Sequence, residues 1–216
     1  YAHRARQQGV RDRAVDVFVL EALFSTVTNV NFDRTSIAAL INRAGELKNA
    51  MKEAYEKAGG GESLAGPATW TPEAGIDALI RQGEALSLEK RLEAHGKDTA
   101  GLQELVLYGL KGLASYADHA QILGQEDEAV YAFVHEALDF LASDPTDTNA
   151  LVGVALKVGE LNLRVMELLD AGNTGVYGHP EPTQVRTTPV AGKCICVSGH
   201  DLKDLADLLD QTEGTG

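Results

Sequence analysis

The chain has 216 residues, 44% of them apolar and 24% charged, with a formal net charge of −13. That is the composition of a soluble globular protein able to bury a sizeable core. No apolar run approaches the roughly 20 residues of a membrane helix, and the negative balance argues against nucleic acid or an anionic membrane as a main partner.

Residues 1–8 read as the end of a helix stopped by Gly9, with Arg4, Arg6, Arg11 and Arg13 expected as a solvated basic cluster. Asp12 can cap a helix whose apolar face is Val15, Phe18, Val19, Ala22, Leu23 and Val27. The stretch 28–33 breaks it. Asp33, Thr35 or Ser36 can cap the next helix, which carries Ile37, Leu40, Ile41, Ala44, Leu47, Met51 and Tyr55 at helical spacing. Gly59, Gly60 and Gly61 open a loop; with no strand before them and no lysine-serine ending they make a flexible connection rather than a phosphate cradle. Pro72 is expected in the first turn of a helix running to about Leu86. A charged helical piece follows over 87–96. Asp98 then opens a longer helix ending at Gly124, in which Gly109 and Gly112 permit close packing. Helices are expected over 126–142, stopped by Asp144-Pro145, and from Asp147 to a closing Gly172. No fixed-period repeat is expected.

Residues 173–192 have no period and read as a connector. Lys193 to Val197 reads as a short buried strand that carries Cys194 and Cys196 and delivers Ser198-Gly199-His200-Asp201 to the start of a last helix. Two cysteines one residue apart on a strand do not make a disulfide framework, and a reducing cytoplasm fits better. They are small core residues or thiolate ligands. His200 is a turn residue or a metal ligand. A lone strand needs neighbours, so the sequence reads as cut at both ends. His119 and His135 lie on separate helices, His179 lies in a rigid crossing loop, and Glu160 and Asn162, beside an apolar helix face, are buried polar residues or, as the plainer reading, solvent-facing ones. The residues thus predict a mainly α protein: a helical domain over 1–172, a connector over 173–192, and the start of an α/β domain over 193–216.

Four stretches carry a family resemblance. They are Phe24-Ser25-Thr26-Val27-Thr28-Asn29-Val30-Asn31-Phe32-Asp33; Leu107-Tyr108-Gly109-Leu110-Lys111-Gly112 with Tyr116-Ala117-Asp118-His119-Ala120; Leu169-Asp170-Ala171-Gly172-Asn173-Thr174-Gly175 with Tyr177-Gly178-His179-Pro180-Glu181-Pro182; and Ser198-Gly199-His200-Asp201-Leu202-Lys203-Asp204-Leu205 with Gln211-Thr212-Glu213-Gly214. In this order they resemble the hybrid-cluster protein (hydroxylamine reductase) family, related in fold to carbon monoxide dehydrogenases. The resemblance implies two three-helix bundles followed by the first βα unit of a Rossmann-like domain. It implies a longer protein with a conventional iron–sulfur cluster and a hybrid iron–sulfur–oxygen cluster, and reduction of hydroxylamine to ammonia and water with electrons from a redox donor; nitric oxide is a further substrate of the family. Of the cluster ligands only the histidine maps onto this sequence, at His200. The glutamate ligand falls beyond Gly216 and the cysteine ligands further on, so Cys194 and Cys196 are not among them. The 216 residues alone are therefore expected to bind no cluster and to be inactive.

Overall fold

A computed structural model describes residues 1–28 and 31–215. Asn29 and Val30, within the break expected after the second helix, and Gly216 lie outside the described residues. Eight α-helices follow in order: α1 (Ala2–Gln7), α2 (Arg13–Ser25), α3 (Arg34–Lys57), α4 (Ile76–Glu84), α5 (Leu88–Ile122), α6 (Glu128–Ala142), α7 (Thr148–Tyr177) and α8 (Leu202–Thr212), with one 3₁₀ turn at Gly66–Thr69.

Asp12, Asp33, Asp147 and Asp201 cap as expected, each accepting a backbone N–H of the helix it precedes, and Asp127 does the same before α6. Asp98, expected to cap a helix, lies inside α5 instead. Asp33 also accepts the hydroxyls of Ser36 and Thr35, each at 2.6 Å, which pulls its carboxyl down to about 2. The charged piece and the longer helix after it join as α5, bent at Gly96, whose φ of 75° is open to glycine.

The larger core lies where α5 meets α7. Val106, Leu110, Leu113, Ala114 and Ala117 recur on one α5 face and pack with Leu151, Val158, Leu161, Val165 and Leu168 of α7; Val130, Val134 and Ala137 of α6 and Leu20 of α2 close it. A smaller cluster joins Ala5, Val15, Met51 and Tyr55 of α1, α2 and α3.

The chain contains an internal repeat, contrary to the sequence expectation. Tyr1, Ala2, Ala5, Gly9, Asp12, Ala14 and Val15 return 115 positions later as Tyr116, Ala117, Ala120, Gly124, Asp127, Ala129 and Val130; Phe18, Val19, Glu21, Ala22 and Leu23 return as Phe133, Val134, Glu136, Ala137 and Leu138. The backbones agree in detail. Gly9 and Gly124 have φ of 78° and 79°. Val10 N donates to Ala5 O at 2.9 Å and Gln125 N to Ala120 O at 2.9 Å. Asp12 and Asp127 each cap their helix through an Ala N–H at 2.9 Å. The third helices correspond with one residue fewer between them: Gly45-Glu46-Leu47 of α3 matches Gly159-Glu160-Leu161 of α7. The contacts obey the same correspondence, since α1 packs on α3 as α5 packs on α7, and α1 meets α6 as α5 meets α2. The molecule is thus two three-helix units facing each other.

Five sequence expectations need correction. There is no strand among the described residues: 193–197 has no sheet partner, and a strand whose backbone groups have no ladder to join gains nothing over solvated coil. Cys194 and Cys196 are therefore exposed and free, not core residues. The helix starting at Thr148 does not close at Gly172 but runs to Tyr177, because Gly172 is a packing site, where a Cβ would lie 3.0 Å from that of Leu123. Pro72 precedes α4 without entering it, since Gly75 at φ 92° forms the N-terminal boundary. Of the two glycines in α5, Gly109 allows the close approach, with Val158 Cγ1 2.9 Å from its notional Cβ, whereas Gly112 faces open space.

The arginine cluster divides: Arg11 and Arg13 are exposed, as expected, whereas Arg4 is half-buried and Arg6 is buried. Arg11 pairs with Glu128 at 3.3 Å and Arg13 with Glu126 at 2.7 Å, an exchange symmetric between the two units. Arg4 holds Asp139 at 2.9 Å and Glu62 at 3.1 Å.

Candidate functional site

The turn before α8 places His200. Gly199 takes φ 118°, a conformation L side chains rarely adopt. Asp201 then caps α8, accepting Lys203 N at 2.8 Å and Asp204 N at 3.4 Å. Between these two fixed points the His200 side chain is exposed.

α8 lies at the joined ends of α5 and α7. His200, Asp201 and Lys203 line a small cleft, about 70 Å³, with Tyr116 and His119 of α5 and Leu169 and Asn173 of α7. His119 Nε2 stands 3.5 Å from Asp201 Oδ2, and the edge of the Phe24 ring meets the His119 ring at 5.3 Å. Phe24 ends α2, so all of α2, α5, α7 and α8 converge here. Beside His119, Asp118 is buried; its desolvation raises the carboxyl above the usual range, offset in part by a hydrogen bond from Gln121 and by the His119 charge. Glu21 on α2 is raised as well, by burial and by the nearby Asp118 charge.

Among the described residues, no three His, Cys, Asp or Glu side chains are grouped to hold a metal ion. The exposed imidazole of His200, on a backbone fixed at both sides, suits one ligand of a larger metal centre. Cys194 and Cys196 lie in the exposed run before it, and His179 is exposed on the connector.

Sequence reasoning missed a buried network at the other end of the molecule. Asp16 and His135, each 5% exposed, meet across the two units, with His135 Nε2 2.8 Å from Asp16 Oδ1. The guanidinium of Arg6, its side chain 9% exposed, pairs with the same carboxylate and with Glu128. Burial pushes the Asp16 carboxyl up, but the hydrogen bonds from His135 and Arg6 outweigh it and hold the group below the usual range. Asp16 drew no reading from the sequence, and only its partner 119 residues away gives it a role. Of the two residues read as buried or solvent-facing, Asn162 has its Oδ1 shielded from solvent with no hydrogen-bond partner among the described residues, while Glu160 is exposed.

The Prismane/CO dehydrogenase family model matches residues 1–216. The chain belongs to this family. Among its relatives, the hydroxylamine reductase of Rhodospirillum rubrum is 50% identical over 221 residues, that of Syntrophobacter fumaroxidans 49% over 217, and that of Methanocella arvoryzae 48% over 216. In each case all of this chain is covered but 40% of the relative, so the chain spans less than half the length of these Prismane-family proteins.

Proposed function

We propose that the chain is the scaffold portion of an iron–sulfur oxidoreductase that reduces hydroxylamine to ammonia and water, with nitric oxide as a second substrate. The supporting observation is the similarity along the whole chain to proteins named hydroxylamine reductase, with the Ser198-Gly199-His200-Asp201 turn presented at the convergence of four helices. In this reading His200 is one ligand of the hybrid iron–sulfur–oxygen cluster. Residues 1–177 are scaffold, 178–192 a connector, and 193–216 the opening of an α/β domain in which the run 193–197 gains strand partners from the rest of the polypeptide. When bound, the cluster supplies the two electrons that cleave the N–O bond as two protons arrive.

The chain's own residues act on position. Gly199 admits the turn, Asp201 fixes the helix start, and the His200 imidazole supplies a ring nitrogen as ligand. Donors for the remaining iron positions come from outside these residues, as do the conventional iron–sulfur cluster and the docking of a redox donor. Among the described residues, no helix is long and apolar enough to cross a membrane; a cytoplasmic location belongs to this reading through the reduced cluster chemistry.

The test uses the complete polypeptide, purified anaerobically, with iron and acid-labile sulfide counted and ammonia formation followed under reduced viologen. His200→Ala is expected to lose iron from the hybrid cluster alone and to lower turnover by more than about tenfold. The isolated 216 residues are expected to hold no stoichiometric cluster. Full iron content and turnover in His200→Ala, or a stoichiometric cluster in the isolated chain, would sink the reading.

A further inference from the structure

The two units are unequally covered. In the first, one face of α3 carries Ala38, Ile41, Gly45 and Lys48, and the chain folds back over it. Pro72 sits on Gly45, leaving a notional Cβ only 3.0 Å from the proline ring. Lys48 Nζ donates to the Trp70 carbonyl. Ile76, Leu79 and Ile80 of α4, at positions i, i+3 and i+4, share an apolar pocket with Ala38 and Ile41.

Residue for residue, 114 positions on, α7 presents Val152, Ala155, Gly159 and Asn162. Among the described residues, nothing covers them. They line an open apolar groove of about 520 Å³ between α5 and α7. Gly159 has no atom within 4 Å of its notional Cβ, and Leu156 beside it is 72% exposed. At the place of the Lys48 amine stands Asn162, with its unmet Oδ1.

We propose that this groove seats a segment of the complete polypeptide lying outside these 216 residues. It enters in extended backbone and continues as a short amphipathic helix with branched aliphatic side chains at i, i+3 and i+4. The 70–80 stretch is the chain's own example of that chemistry on the matching face. The source is intramolecular for two reasons. This chain covers only 40% of its relatives' length, and the inference rests on the proposed reading of it as part of a longer polypeptide, which supplies chain to fill the groove. The groove is also continuous with the seat of α8, since Tyr116 lines both. A second copy is the weaker occupant, because each copy brings a net charge of −13.

Hydroxyl-radical footprinting of Leu105, Val152 and Leu156 tests this without reference to any activity. These side chains are expected to react freely in the 216-residue chain and several-fold more slowly in the complete polypeptide at concentrations where it is monomeric. Leu156→Asp should leave the melting temperature of the 216-residue chain unchanged, since the side chain is solvated there, while restoring reactivity at Leu105 and Val152 in the complete polypeptide. Equal reactivity in both proteins overturns the proposal. So does protection that appears in the 216-residue chain only as its concentration rises, or in the complete polypeptide only when a second protein is added.

Discussion

Asp16→Asn isolates the buried junction between the two units. The substitution keeps the shape of the side chain and removes its charge, leaving the Arg6 guanidinium facing His135 with one carboxylate, Glu128, instead of two. Removing one partner of a buried ion pair costs about 3–5 kcal/mol; the amide retains some hydrogen bonding, so about 3 kcal/mol is expected. For a chain of this length each kcal/mol lowers the melting temperature by about 2–4 °C, so the loss is about 6–12 °C. The pH dependence has a definite sign. Because the folded-state carboxyl is held below its ordinary value, its contribution is present in full above the ordinary carboxylate range and is lost as pH falls through the depressed value. Calorimetry of wild type and variant at neutral pH and at steps down into acid should therefore show a gap that closes only below the ordinary aspartate range. A loss under about 1 kcal/mol at neutral pH, or a gap that does not change with pH, would refute the account of Asp16 as a charged keystone rather than a neutral spacer.

Two further measurements probe the helix interface and the cleft. Gly109→Ala and Gly112→Ala make the same change on one helix, each gaining about 1 kcal/mol of helix propensity, but only the first drives a Cβ to 2.9 Å from Val158 Cγ1. Chemical denaturation is expected to show Gly112→Ala stabilised and Gly109→Ala neutral or destabilised by about 1–2 kcal/mol, and a Gly109→Ala gain matching that at Gly112 would remove the packing argument. Asp118→Asn is expected to raise stability at neutral pH by about 1 kcal/mol, the low end of the cost of a poorly satisfied buried group. Its carboxyl is raised by burial, so the folded state favours the protonated form; the advantage of the amide fades as pH falls through that raised value and is gone below the ordinary carboxylate range. An advantage that persists in acid would contradict it.

Helix positions were legible because their causes are local. Asp12, Asp33, Asp127, Asp147 and Asp201 each sit beside the amides they cap, and apolar spacing marks the buried face of α5 and α7 directly. What failed was set by distant partners. Arg6 read as a solvated charge, and Asp16 drew no reading at all, because their partners Glu128 and His135 lie more than a hundred residues away. Cys194 and Ile195 spell a strand, yet a strand is a property of the sheet that receives it. The repeat escaped because only two copies exist and the one-residue difference before the third helix breaks a fixed offset. For the site, the turn around His200 was readable from its glycine and its cap, but its neighbour His119, brought from α5, was not.

The crossed pairs Arg11–Glu128 and Arg13–Glu126 have a consequence for how the two units tell each other apart. Had the copies stayed alike, a unit meeting its own twin would be as good a match as a unit meeting its partner, and two chains could trade halves. Instead one copy took arginine at both positions and the other glutamate. A first unit facing another first unit sets arginine against arginine, and a second facing a second sets glutamate against glutamate, so mispairing is repulsive at the same positions where correct pairing is attractive. The duplicated fold thereby encodes a lock and a key in one polypeptide.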